Sequence, residues 1–218
     1  MKMEANDLIK AHYTSVQLAC TDLDKDEWAR ASATVISRYW SGAEAPQARQ
    51  AEARIIWSKD ALSVRFVCRQ DEPLVMSAAP QVERKTVGLW ERDVCEIFVA
   101  PDAENPQRYL EFEAAPSGEW LDLAVEYKEA GREADWDFNS GMTVAARIRE
   151  GFVTIALCVP WAAFGREPHA NERWRVNLFR CVGAGASRGY LAWQPTRTTQ
   201  PNFHVPSAFG WLLFNDEG

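Results

Sequence analysis

Three tryptophans stand in polar, turn-like settings: Trp90 in GLWERDVCEIFVAP, Trp136 in ADWDFNSG and Trp193 in YLAWQPTRTTQPNFH. A flat apolar ring with a polar tip, flanked by carboxylates and guanidinium groups, suits sugar recognition. The indole covers the C–H face of a pyranose while charged groups grip its hydroxyls. The competing reading is ordinary: most indoles belong to a core, and the chain has ten of them.

Carboxylates offer a second kind of chemistry. In Tyr109-Leu110-Glu111-Phe112-Glu113 a strand's period of two puts Tyr109, Glu111 and Glu113 on one face, with Leu110 and Phe112 on the core face. The two carboxyls then stand roughly 6–7 Å apart, within reach of glycosidase acid/base spacing. Catalytic pairs must flank a sugar from opposite sides, which neighbours on one strand do not. A polar strip, exposed or facing a ligand, is the simpler expectation. In WRVNLFR, Arg180 shares a face with Val176 and Leu178 and should point inward. A buried guanidinium needs a partner. Glu96, which shares a face with Val94 and Phe98, is the candidate, either as a structural ion pair or as part of a ligand site.

Other chemistries lack their signatures. His12, His169 and His204 are scattered and no CxxC is present, so no transition-metal site is expected. The acidic run from Asp22 to Glu27 lacks the Gly and terminal Glu of an EF-hand loop and reads as a solvated turn before Trp28. No GxSxG occurs, and the Gly183–Ala186 stretch lacks the Lys-Ser/Thr of a phosphate loop. No catalytic residue and no cofactor are assigned.

A net charge of −7 argues against nucleic acid as a partner. No segment approaches the ~20 apolar residues of a membrane span. The first 28 residues contain no apolar run of signal-peptide length. The five cysteines are odd in number, dispersed, and mostly inside apolar runs, which reads as buried free thiols. A cytoplasmic protein is the expectation, or a secreted or periplasmic one were a leader removed. Oligomeric state is not legible.

Short alternating segments separated by turn signals dominate the chain. ALSVRFVCR, TVAARIRE and GFVTIALCVP read as strands, the last two joined by a hairpin at Glu150-Gly151. Further strands are expected near 13–20, 34–40, 51–57, 93–99, 107–115, 119–127, 173–182, 190–193 and 209–214. Helical turns are expected at Pro160–Gly165 and Val205–Gly210, and long loops at Asp71–Gly88 and Gly165–Glu172. No repeat or linker breaks the chain. The expected fold is all-β: one domain over 1–218, a two-sheet antiparallel β-sandwich, jelly-roll-like, with one or two short helical turns.

Several segments carry a resemblance. In order they are DEWARA (26–31), IWSKDALSV (56–64), WERDVCEIF (90–98), RYLEFE (108–113), IALCVPW (155–161), WRVNLFR (174–180), AWQPT (192–196) and PNFHVP (201–206). Together they resemble family 9 carbohydrate-binding modules of the DOMON-like β-sandwich superfamily, in a stand-alone bacterial-type form. Ser63 stands where the family tends to show an aromatic. The resemblance implies a non-catalytic domain that holds a mono- or oligosaccharide between two tryptophans and serves carbohydrate catabolism beside glycoside hydrolases. Trp90 with Glu96, six positions on, match one family Trp and its acidic residue. Trp193 is the candidate second Trp. Arg108, Glu111 and Asn202 complete the carbohydrate-binding set. A structural calcium is also implied, but its ligands find no counterparts here. Three alternatives stand beside this reading: a glycoside hydrolase using Glu96, Glu111 or Glu113; a DOMON-type haem domain with Met76 or His204 as axial ligand; and a purely structural domain.

Overall fold

A computed structural model describes residues 7–216. Residues 1–6 and 217–218, the two ends of the expected domain, lie outside the described residues. The strands in the first half are β1 (Leu8–Tyr13), β2 (Thr34–Ile36), β3 (Arg38–Tyr39), β4 (Ala51–Trp57), β5 (Ala61–Arg69), β6 (Val94–Ala100) and β7 (Arg108–Ala114). Those in the second half are β8 (Trp120–Lys128), β9 (Gly131–Asp135), β10 (Thr143–Arg149), β11 (Phe152–Pro160), β12 (Arg173–Val182), β13 (Gly189–Ala192) and β14 (Gly210–Asn215).

Hydrogen bonding runs in the order β10-β11-β5-β4-β1-β14-β12-β6-β7-β8-β9. The sheet curls so that its two limbs pack face to face as a β-sandwich. One core cluster draws Ile55, Val64, Phe66 and Leu157 from the first limb and Ile97, Phe112, Trp174 and Leu178 from the second. The pairing is not wholly antiparallel. β1 runs parallel to both β14 and β4, and so joins the limbs.

Most of the local expectations are met where turn chemistry is strong. Arg149 pairs with Phe152 across Glu150-Gly151, and Gly151 takes the positive φ of 73° that such a tight hairpin turn requires. A 3-10 turn spans Trp161–Phe164 after Pro160 and stops at Gly165 (φ 68°). Residues 71–88 carry no strand or helix. Two expectations fail. The first strand lies at Leu8–Tyr13, and 14–20 is loop, because Cys20 leaves the sheet to pack on Ala156 and Cys158. Strand β9, GREAD, went unexpected. It is an edge strand with little buried surface, so it has no apolar alternation to read.

The second limb is buried on both faces. Its inner face meets the sandwich core. Its outer face holds Val94, Phe98, Leu123, Phe179 and Cys181, covered by Phe203 and Phe209 from the segment before β14. This double burial explains why β6 is buried at every position. It also separates Arg180 from Glu96. In the β6–β12 register Arg180 lies opposite Cys95, while Glu96 lies opposite Phe179. The two side chains therefore point to opposite faces. Arg180 donates instead to the carbonyls of Arg49 (2.6 Å) and Gln50 (3.1 Å) and to Gln70 Oε1 (2.6 Å).

Gly210 opens β14 beneath the Trp193 ring. A Cβ there would lie 2.5 Å from Trp193 Cη2 and 2.9 Å from the Asp7 carbonyl oxygen. Gly210→Ala is expected to cost about 1–3 kcal/mol through overpacking, measured as a lower urea midpoint with an unchanged slope.

Candidate functional site

Strand register assembles the site. β6 and β7 pair so that Glu96 faces Glu113 and Phe98 faces Glu111. Glu111 and Glu113 share a face by the period of two, so the three carboxyls gather on the outer face of the second limb. One oxygen from each lies within 4.8 Å of the others. All three residues are buried, Glu113 completely. Both Glu113 carboxyl oxygens and Glu111 Oε2 have no hydrogen-bond partner among the described residues. Like charges directly opposite in a sheet repel. Burial, then the neighbouring carboxyls, pushes the Glu96 and Glu113 carboxyls well above the usual range. Burial raises Glu111 as well.

The carboxyls form the floor of a cavity of about 370 Å³, within the usual range for small-ligand pockets. Phe98, Leu123, Ala134 and Cys181 supply apolar wall. Arg132 from β9, Tyr190 from β13, and Asn202 and His204 from the covering segment complete it. Tyr109 bonds His204 Nδ1 through its hydroxyl at 2.8 Å, and the Tyr127 hydroxyl donates to the His204 carbonyl at 2.6 Å. Burial, assisted by Arg132, drives His204 down to about 3, so its ring is neutral.

Two indoles form the mouth. Trp90 and Trp136 are 38% and 45% exposed, unusual for so large an apolar ring. Their centroids lie 6.5 Å apart at an interplanar angle of 51°, an open V above the acid floor. Each is held by its backbone. Trp90 sits in a 3-10 turn (Leu89–Glu91) entered through Gly88 at φ 80° and anchored by buried Leu89. Arg188 donates to the carbonyls of Trp90 (2.5 Å), Arg92 (2.6 Å) and Gly183 (2.6 Å), tying that turn to the end of β12. Trp136 follows β9. Lys85 Nζ donates to the carbonyls of Trp136 (3.1 Å) and Phe138 and pairs with the buried Asp122 carboxylate at 2.7 Å. Asp122 also accepts the backbone N–H and hydroxyl of Ser140, both at 2.7 Å. Lys85→Met would leave Asp122 buried beside an apolar stem. A loss of about 2–3 kcal/mol is expected, the lower end for a broken buried pair because Lys85 keeps some solvent contact, read by chemical denaturation.

Of the residues singled out from sequence, Trp90, Glu96, Glu111 and Asn202 line this one cavity. Arg108 does not. It lines a separate depression and pairs with Glu126 at 3.3 Å. Trp193 does not reach the cavity either: its backbone N–H donates to the Leu178 carbonyl and its ring packs against the sandwich core and Gly210. Trp136 takes the place across from Trp90. Sequence reading also missed Arg132, Lys85, Asp122 and Arg188 as parts of the site or its frame. Met76, the other haem-ligand candidate, is exposed and is not among the residues lining the cavity with His204. The acidic run near the N-terminus is spent on ion pairs: Asp22 with nearby Lys25, and Asp24 with Arg147 of β10. All five cysteines are buried and unbridged.

A sandwich that carries an aromatic-mouthed cavity of small-ligand size on a sheet face has the build of a binding module. The family model described as carbohydrate family 9 binding domain-like matches residues 22–217, and the chain belongs to that family. Solved structures of similar fold include a family 9 carbohydrate-binding module from Caldicellulosiruptor kristjanssonii in complex with glucose. It is 14% identical, with a TM-score of 0.69 and 97% of each chain covered. The same organism's module in complex with cellotriose gives 14% identity and a TM-score of 0.66, over 97% of this chain and 95% of that one. A protein from Bacteroides uniformis ATCC 8492 proposed to bind carbohydrate gives 17% identity and a TM-score of 0.72, over 96% and 99%. At these identities the likeness shows the fold. A curated relative, described as an extracellular protein of Arthroderma benhamiae, is 23% identical over 179 residues, 76% of this chain and 78% of its own. No described helix is long and apolar enough to cross a membrane.

Proposed function

We propose that this chain is a non-catalytic domain that binds a saccharide end-on in the Trp90–Trp136 cleft. The carrying observation is the pair of exposed indoles opposed across the mouth of a buried polar floor. Two ring-to-sugar contacts of about 3.5–4 Å each need a gap near 7 Å, and the observed centroid separation of 6.5 Å is close to it. Asn202 and Arg132 sit at the cavity's rim, where they can reach hydroxyls. Family membership and the glucose and cellotriose complexes of its structural neighbours support the same reading. Such a domain serves carbohydrate catabolism by concentrating a saccharide for an enzyme. The extracellular relative favours a secreted or periplasmic setting over the cytoplasmic one.

A hydrolase reading draws on the closeness of the carboxyls, which each bring an oxygen within 4.8 Å of the others, as retaining pairs at ~5 Å are close. It suffers from the geometry: the carboxyls rise side by side from adjacent strands and approach a ligand from one side. The decisive test is tryptophan emission during titration with glucose, cellotriose and a broad saccharide panel. A saturable shift is expected. No response to any sugar would overturn the proposal, and turnover of chromogenic glycosides that is lost in Glu96→Gln would replace it with the hydrolase reading.

A further inference from the structure

The floor of the cavity is chemically one-sided. Neutral sugar hydroxyls both donate and accept, and a site made for them mixes amides, cations and carboxylates. Here the deep end offers three carboxyls, and three of their oxygens are buried without a hydrogen-bond partner among the described residues. Among the described residues no lysine lines the cavity. Arg132, on the exposed edge strand β9, is the cation in its lining. A ligand that brings donors and positive charge to that floor would satisfy what the protein leaves unmet.

Building on the saccharide reading, we propose that the preferred ligand carries a protonated amine, as 2-amino-2-deoxyhexoses do. Its ammonium sits on Glu96, Glu111 and Glu113, and its ring lies between Trp90 and Trp136. An ammonium has three donors and no acceptor, one donor for each carboxyl. Three oxygens spaced up to 4.8 Å apart surround a point about 2.8 Å from each, the length of a charge-assisted N–H···O bond. The indole faces add attraction for the cation. A hard divalent ion is less well served. It wants about six or more oxygens, and the rest of the deep wall is Phe98, Leu123, Ala134 and Cys181.

Binding has a proton signature. Burial and mutual repulsion shift the three carboxyls towards their protonated forms. An arriving ammonium stabilises their ionised forms, so O–H protons pass to the buffer while the amine keeps its own. The other titratable groups facing the cluster are Cys181, Tyr109, Tyr190, His204, Arg132 and Arg188. Burial holds the Cys181 thiol and Tyr109 phenol in their neutral, protonated forms and His204 in its neutral, deprotonated form.

The test is titration of the full chain with glucosamine, glucose and N-acetylglucosamine at pH 7. Emission and calorimetry would be read in two buffers of different ionisation enthalpy. Glucosamine is expected to bind at least tenfold tighter than the other two, with net proton release and an affinity that rises from pH 5 to pH 7. Glu113→Gln, which should fold at least as stably, is expected to erase that preference. Glucose binding as tightly as glucosamine would overturn the amine assignment and leave the saccharide reading intact. Failure of every sugar would overturn both. Calcium chloride alone producing the same emission change and displacing glucosamine would give the cluster to a metal and overturn the amine assignment.

Discussion

Trp90→Ala is expected to lower saccharide affinity at least about 30-fold, a loss of about 2 kcal/mol, as for an aromatic anchor over a desolvated pocket. Trp136→Ala is expected to cost about tenfold, since its ring is the more exposed of the two and part of its contact is replaceable by water. Both substitutions remove a ring that the sandwich core does not use, so the unfolding midpoint should stay within the small change typical of surface positions. Trp193→Phe and Arg108→Ala are expected to leave affinity within twofold, because neither side chain reaches the cavity. Isothermal calorimetry on the four variants checks the set. Equal losses from Trp193 and Trp90 would show that the sugar lies elsewhere.

The second large effect is on stability. Glu96, Glu111 and Glu113 have folded-state pKa values above their unfolded values. The folded chain therefore holds more protons than the unfolded one across that interval. The associated stability is fully present below the unfolded carboxyl range, near pH 4, and is lost as pH rises through the folded values. Glu113→Gln removes one titrating member and lessens the repulsion on the other two. The variant should match the parent near pH 4 and exceed it progressively above. At pH 7.5 the gain is expected to be about 2 kcal/mol, or roughly 4–8 °C in Tm for a chain of this size. Thermal unfolding followed by circular dichroism across pH 4–8 is the measurement. A variant less stable than the parent at neutral pH would mean that Glu113 is ionised and well paired. The parent's deficit fits a general pattern: binding sites keep groups whose burial costs stability until a ligand arrives.

The strands were readable because one face of nearly every strand meets a core, and alternation records that. The edge strand β9 has no such face, so its contribution of Arg132 was invisible. Trp90 and Glu96 were legible together through the family resemblance, which pairs a Trp with an acidic residue six positions on. Glu111 followed from the period of two. The second indole was not legible. Trp136 and Trp193 occupy equally polar sequence, and only tertiary contacts separate them. Lys85 reaches from the long loop to hold the Trp136 backbone, while the small Gly210 lets Trp193 sink against β14. The expected Arg180–Glu96 pair failed for a related reason. Which residues share a face across strands depends on register, and the β6–β12 register puts them on opposite faces.

A crystal structure with the tightest-binding monosaccharide in place would test the central claim most directly. The account predicts the pyranose ring in the V between Trp90 and Trp136, with polar groups directed at Glu96, Glu111 and Glu113. Sugar density in the depression beside Arg108, or against Trp193, with the indole cleft empty would contradict it.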